Sequence, residues 1–200
     1  MSEGPFIPRG TLLLSAPHML DPSFMHAVVL MIDHRKDGAM GVVINRRAET
    51  RISDLLKEHE SLGSCEEFVW SGGPVGLDSL QILHRLGDQR GPEIGGLPVG
   101  PREHGVHLGA ELDALGERLA QGAPDDDPWA NRLRFIVGYA GWGSGQLEEE
   151  INERSWLPLE MNGEVLFSRV PGEATWRLAM SQLRGDGASL LHLPPDPRWN

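Results

Sequence analysis

The residues of this 200-residue chain whose types admit chemistry are eight histidines, one cysteine, serines beside glycine, and two glycine-rich turns. A hydrolase elbow needs Gly-x-Ser-x-Gly, because the glycines permit the strained turn that presents the hydroxyl. Ser144 has glycine on each side, but positions 142 and 146 are Trp and Gln, and Ser71 has Val69 two residues back. Cys65 precedes Glu66 and Glu67, whose charges oppose a thiolate and argue against a nucleophile. His104 and His107 form His-x-x-His, but the surrounding Gly and Pro predict loop and strand. With no His-Glu-x-x-His and no cysteine pair, no metal site is predicted.

The glycine turns invite a phosphate. Gly141, Gly143 and Gly145 follow an apolar run and precede a helical pattern, as in a dinucleotide site, but the third glycine stands one residue early. Glu148, Glu149 and Glu150 already complement the helix start and would repel an anion there. The reading favoured is a tight strand-to-helix turn with Trp142 anchoring the helix, so that Gly143→Ala and Trp142→Ala both cost stability. In Ser71-Gly72-Gly73-Pro74 the amides can form an anion nest. No Arg or Lys follows until Arg85, which favours a structural turn. No cofactor is predicted. Asp125-Asp126-Asp127 lacks the spacing of a calcium loop and reads as a solvated loop.

The net charge is −11, with 29 acidic and 18 basic residues. Non-specific affinity for nucleic acid comes from neutralised phosphates, so direct duplex DNA binding is not expected. The best basic cluster, Arg46, Arg47 and Arg51, reads as solvated surface. The longest apolar run, 27–32, is far short of the ~20 residues a membrane span needs, so no membrane partner is expected. With one cysteine and no signal-peptide pattern, a cytoplasmic protein is expected.

These residues must be positioned by short strands and helices. Residues 10–16 read as a strand. Residues 26–32, continuously apolar and β-branched, read as a strand buried on both faces, and residues 39–45 return antiparallel after Asp37-Gly38. A helix is predicted over 52–60, strands over 67–71 and 79–85, and a long surface loop over 86–104. A brief strand at 105–108, a helix over 110–121 and a strand over 132–139 follow. Residues 146–154 form an amphipathic helix with a Glu150–Arg154 pair. Strands 156–160 and 164–168 flank an Asn162-Gly163 hairpin turn. The last helix spans 174–184 with Thr175 as its cap. The class is α+β: one domain over 1–200 with a mixed, largely antiparallel coiled sheet flanked by helices, an irregular lead-in at 1–9 and an irregular tail at 186–200.

Several motifs occur in order: Gly38-Ala39-Met40-Gly41-Val42-Val43-Ile44-Asn45, Gly72-Gly73-Pro74-Val75, Ile82-Leu83-His84, and Gly138-Tyr139-Ala140-Gly141-Trp142-x-x-Gly145-Gln146-Leu147-Glu148-x-Glu150-Ile151. Trp156 and Val165-Leu166-Phe167 follow. Over residues 10–185 the chain resembles the AlgH/YqgE family of bacterial proteins. The resemblance implies a cytoplasmic α+β protein with a coiled, bifurcated sheet, and brings no catalytic residue with it. The "transcriptional regulator" label on some members implies an effect on gene expression, not DNA contact. The leading functional reading is a non-catalytic binding or regulatory module for a protein or small-molecule ligand. Its candidate groove is formed by His34, Asn45, Gly72, Gly73, His84, Tyr139, Trp142 and Gln146. The alternative is an enzyme using a histidine–carboxylate pair in that groove. Third is a transcriptional regulator acting indirectly or through DNA.

Overall fold

Strand β9 (Leu133–Gly143) is the spine of the sheet in this computed structural model, which describes residues 5–87, 94–123 and 128–184. On one edge β9 pairs antiparallel with β6 (Val75–His84). Two strands share its other edge: β5 (Phe68–Ser71) runs parallel to it at 135–137, and β3 (Gly38–Val43) antiparallel at 140–143. The sheet therefore forks at β9. Beyond β3 lie β2 (Val28–Arg35), β1 (Leu12–Ser15) and β10 (Trp156–Leu159). Beyond β6 lie β8 (His107–Leu108) and β7 (Leu97–Pro98), and β4 (Arg47–Arg51) flanks β5. Among the described residues five α-helices accompany them: α1 (Ile52–Leu55), α2 (Leu112–Ala120), α3 (Gln146–Asn152), α4 (Gly163–Leu166) and α5 (Glu173–Met180). Every pairing is antiparallel except β5–β9, and the class is α+β as expected. Among the described residues no helix is long and apolar enough to cross a membrane.

The fork requires glycine. The chain leaves β5 on one edge of β9 and enters β6 on the other, so residues 72–74 cross β9 with backbone on backbone. Gly72 N–H donates to Val137 O at 2.7 Å, and Gly72 O accepts from Val43 N–H at 2.8 Å, joining β3, β5 and β9 at one residue. A Cβ on Gly72 would strike Gly138 O, and one on Gly73 would strike the Tyr139 carbonyl. At Gly138, where φ is +78°, a Cβ would stand 2.7 Å from Gly73 O. The Gly72 amide is thus engaged in the crossing and is not part of an anion nest.

Burial explains the strand patterns. Both faces of β2 are covered, as its unbroken apolar run predicts. Val28, Leu30 and Ile32 pack with Leu12, Leu14, Val42 and Ile44 beneath Val165, Trp176 and Met180 of α4 and α5. Val29 and Met31 pack with Leu13, Val43, Ala140 and Trp142 beneath Leu147 of α3. Each fully buried aliphatic side chain contributes about 1.5–3 kcal/mol. A third cluster, Val69, Ile82, Leu133 and Phe135, lies beneath Leu115 of α2 with Leu62, Leu86 and Ile94. Among the described residues three strands have an outer edge. That of β10 carries Pro158, that of the two-residue β7 carries Pro98, and β4 holds three charged residues of five.

Several local expectations are corrected. The helix over 52–60 stops at Leu55, because residues 56–65 fold into successive turns (His59 N to Leu56 O, Gly63 N to His59 O) that bury Leu62. The expected 86–104 loop contains β7 and buries Leu86, Ile94 and Val99 against the cores. Residues 141–143 continue β9 instead of turning, and of the three glycines only Gly145 has positive φ, +78°. Asn162-Gly163 begins α4, not a hairpin: the Asn162 side chain accepts from Glu164 N at 2.8 Å and Val165 N at 3.3 Å, a helix cap. Gly172 caps α5, while the Thr175 hydroxyl donates to Val170 O. The lead-in is packed at Ile7. The Asp125–Asp127 loop and the 186–200 tail lie outside the described residues.

The crossing and the continued strand predict opposite outcomes for two alanine substitutions. Gly138→Ala adds overpacking to a left-handed backbone and should cost about 3 kcal/mol, or roughly 9 °C of melting temperature in a chain of this size. At Gly143 the nearest atom to an added Cβ is Gln146 Oε1 at 3.9 Å, so Gly143→Ala, contrary to expectation, meets no obstacle and its melting temperature should match wild type. Thermal melts of the two variants, followed by circular dichroism, check both.

Candidate functional site

Of the eight residues expected to share a groove, His34, Trp142 and Gln146 come together at α3. His34, Ala39 and Trp142 are cross-strand partners in one row across β2, β3 and β9. Nδ1 of His34 accepts from Ile7 N–H at 2.9 Å, and its Nε2 faces Glu148 Oε1 at 3.2 Å. The proton therefore sits on Nε2 and is donated to Glu148. Phe6 stacks on the same ring, centroids 5.4 Å apart. A histidine–carboxylate pair exists here, but neither ring nitrogen has a lone pair left for a substrate proton.

Glu150 is similarly engaged. Its Oε2 accepts from Trp142 Nε1 at 2.9 Å and from Trp156 Nε1 at 2.7 Å, while its Oε1 accepts from Gln146 Nε2 at 2.8 Å. Gln146 Oε1 in turn accepts from Gly143 N–H at 3.0 Å. Phe24 stacks on Trp142 and meets Trp156 edge-on. Trp142 thus anchors α3, as expected. The Glu150–Arg154 pair is replaced by this carboxylate clamp, because two nearby indole donors need an acceptor.

The other expected residues lie elsewhere. Asn45 is buried and ties three segments: Oδ1 accepts from Val28 N at 2.9 Å, and Nδ2 donates to His26 O at 2.8 Å and Gly172 O at 2.9 Å. Gly72, Gly73 and Tyr139 belong to the crossing. His84 is buried near the far end of β9. Its Nδ1 accepts from Leu86 N at 3.4 Å, and its Nε2 donates to Gly95 O at 3.1 Å and Gly109 O at 3.0 Å. Burial pushes its pKa below the ordinary 6.5, the two carbonyls opposing and His107 assisting. Among the described residues no three His, Cys, Asp or Glu side chains are placed to hold a metal ion.

Other reactive groups are likewise structural. Burial, more than the charges of Glu67 and Glu66, pushes the Cys65 thiol up, which disfavours a nucleophile. Burial pushes Arg134 down to about 9 against the attraction of Glu67. Its guanidinium lies 3.6 Å from the Trp70 ring centroid and donates to the carbonyls of Leu166 and Ser168, tying the end of α4 to the sheet. Arg47 and Arg51 both stack on Phe68, Arg51 also pairs with Glu66, and Arg46 donates to Pro22 O and Met25 O. The basic cluster is surface, as expected, with Arg47 exposed, and its guanidiniums are stacked and bonded there.

An open groove of about 420 Å³ lies elsewhere, on the same face of the β4–β5–β9–β6 branch as α2, at the border of the third cluster. Val69, Val137 and Leu80 supply apolar lining from three strands, with Ala48 and Thr50 contributed by β4. Leu55 and Leu56 line it from α1 and the turn after it. Leu77 and Asp78 line it from an irregularity in β6, where pairing with β9 lapses between Val75 and Leu80. Leu55 and Leu77 are exposed at the mouth. Three polar side chains line the groove, Thr50, Ser71 and Asp78, and none bonds to any described residue. Sequence reading missed this groove because its lining comes from five separate elements. The only local signal was Leu77-Asp78 between Gly76 and Ser79, which interrupts strand alternation.

The forked sheet and its helices define an α+β protein of AlgH-like architecture. The AlgH-like family model matches residues 12–188, and the chain belongs to that family. A UPF0301 protein of Streptomyces coelicolor is 38% identical over 193 residues, covering 96% of this chain and 94% of the relative. One from Bacteroides fragilis is 31% identical over 193 residues, covering 96% and 91%. Among solved structures, the solution structure of the AlgH protein from Pseudomonas aeruginosa aligns with a TM-score of 0.62 at 26% identity, covering 97% of this chain and 98% of that one. A crystal structure of a Corynebacterium diphtheriae protein aligns at 0.69 with 20% identity, covering 94% of each, and shares the fold.

Two measurements test these assignments. Glu150→Ala leaves both indole N–H groups without their acceptor and should cost about 2–4 kcal/mol, roughly 6–12 °C, in a thermal melt. His84 has a folded-state pKa below its unfolded value, so the unfolded chain binds the extra proton. The stability it contributes is complete above about 6.5 and is lost as pH falls through the depressed folded value. Melts across pH 5 to 8 should therefore show a steeper acid loss for wild type than for His84→Asn.

Proposed function

We propose that this protein is a non-catalytic binding module and that the 420 Å³ groove beside α1 is its ligand site. One observation carries the reading: the groove combines an apolar lining with three polar side chains that have no partner among the described residues, the usual composition of a small-molecule site. The His34–Glu148 pair supports it by contrast, since both of its ring nitrogens are engaged. No histidine or cysteine lines the groove, and Ser71 makes no hydrogen bond to Asp78, the one carboxylate among its lining residues. Any regulatory effect then passes through ligand occupancy and not through duplex DNA, which the net charge of −11 disfavours.

A fragment library followed by amide chemical shifts tests this. Shifts should cluster at Ala48, Thr50, Leu55, Ser71, Leu77 and Leu80. Thr50→Trp, an aromatic on a strand position that accepts one, should abolish them while leaving the melting temperature within a few degrees. Shifts centred on His34 and Glu148, or specific binding of duplex DNA at a Kd of ~10⁻⁸ M in an anisotropy titration, overturn the reading.

A further inference from the structure

We propose that the groove selects a small apolar molecule carrying a protonated amine, with Asp78 as its counter-charge; this rests on the groove being the ligand site. Asp78 is the single charged side chain among the lining residues and forms no ion pair or hydrogen bond with any described residue. Its position follows from the fold: the β6 irregularity after the crossing brings Leu77 and Asp78 together to the groove. The remaining lining is aliphatic, with Trp70 beside it and the hydroxyls of Thr50 and Ser71.

The charge decides the ligand class. A carboxylate or phosphate ligand meets Asp78 with like charge in a chain of net charge −11, and no lining cation compensates it. The nearby arginines are engaged: Arg47 and Arg51 on Phe68, Arg51 also with Glu66, and Arg46 with backbone carbonyls. A neutral ligand gains the apolar lining and leaves Asp78 unused. An ammonium group brings three N–H donors, and the groove holds three acceptors without a partner among the described residues, the Asp78 carboxylate and the Thr50 and Ser71 hydroxyls. A volume of about 420 Å³ falls within the roughly 300–1,000 Å³ of small-molecule sites.

The test uses three probes with one apolar body: 3-phenylpropylamine, 3-phenylpropan-1-ol and 3-phenylpropanoate, titrated into the full chain and followed by amide chemical shifts. Wild type should bind the amine about fivefold more tightly than the alcohol, the gain expected of an exposed ion pair, and the acid most weakly. Asp78→Asn should bring the amine to the alcohol's affinity and leave the alcohol unchanged. The preference should shrink in 1 M salt, where screening acts over about 3 Å. Equal binding of amine and alcohol to wild type, binding of none of the three, or a preference that survives Asp78→Asn overturns the proposal. If amine and alcohol bind equally in the groove and Thr50→Trp abolishes both, only the amine assignment fails. If the shifts centre on another part of the molecule, the groove reading fails with it.

Discussion

The crossing of residues 72–74 over Gly138 is the constraint on which the remaining architecture depends. Two backbones can approach this closely only where neither carries a Cβ, and glycine stands at 72, 73 and 138. The crossing lets β5 and β6 occupy opposite edges of β9, and it frees the rest of the β5 edge for β3. Fork and groove have this one origin. Once past the crossing, β6 pairs at Val75 and not again until Leu80, and the interval supplies a groove wall.

The polar groups divide into two populations. Around α3, His34, Glu148, Gln146, Glu150 and the two indoles satisfy one another or the backbone. Leaving such a buried group unmatched costs about 1–3 kcal/mol, so this network holds α3 in one arrangement. In the groove, Thr50, Ser71 and Asp78 meet solvent, and their side chains satisfy nothing among the described residues. The segment that looks most chemical in the sequence is therefore scaffold, and the segment that looks plain is available to a ligand.

What the sequence made legible follows the range of the forces involved. The β2–β3 hairpin was readable because an Asp-Gly turn and two apolar runs are local features. The helix ending at Ala120 was readable from its apolar spacing, and Trp142 as an anchor from its place before α3. Asn162 was misread because asparagine before glycine serves hairpins and helix caps alike, and only tertiary packing chooses between them. The 141–145 glycines read as a turn because nothing local shows that β3 extends the ladder to Gly143. His34 and Glu148 stand 114 residues apart, and no spacing rule joins them. The groove was invisible because each of its walls is an ordinary piece of strand or helix until they are assembled.

The pairing of β1 with β10 joins residues 12–15 to residues 156–159, and β9 receives partners from residues 38–84. A ribosome makes the chain from the other direction in time. Strands β1 to β8 emerge before the spine that organises them, and at 5–20 residues per second they wait on the order of ten seconds for β9 to follow. During that interval Leu12-Leu13-Leu14 and Val28-Val29-Leu30-Met31 can pair with each other and with β3, but lack the residues of α3, α4 and α5 that cover them in the finished protein. The cover of both faces of β2 is thus made only after the spine, and contacts of long sequence separation dominate the folding of this chain.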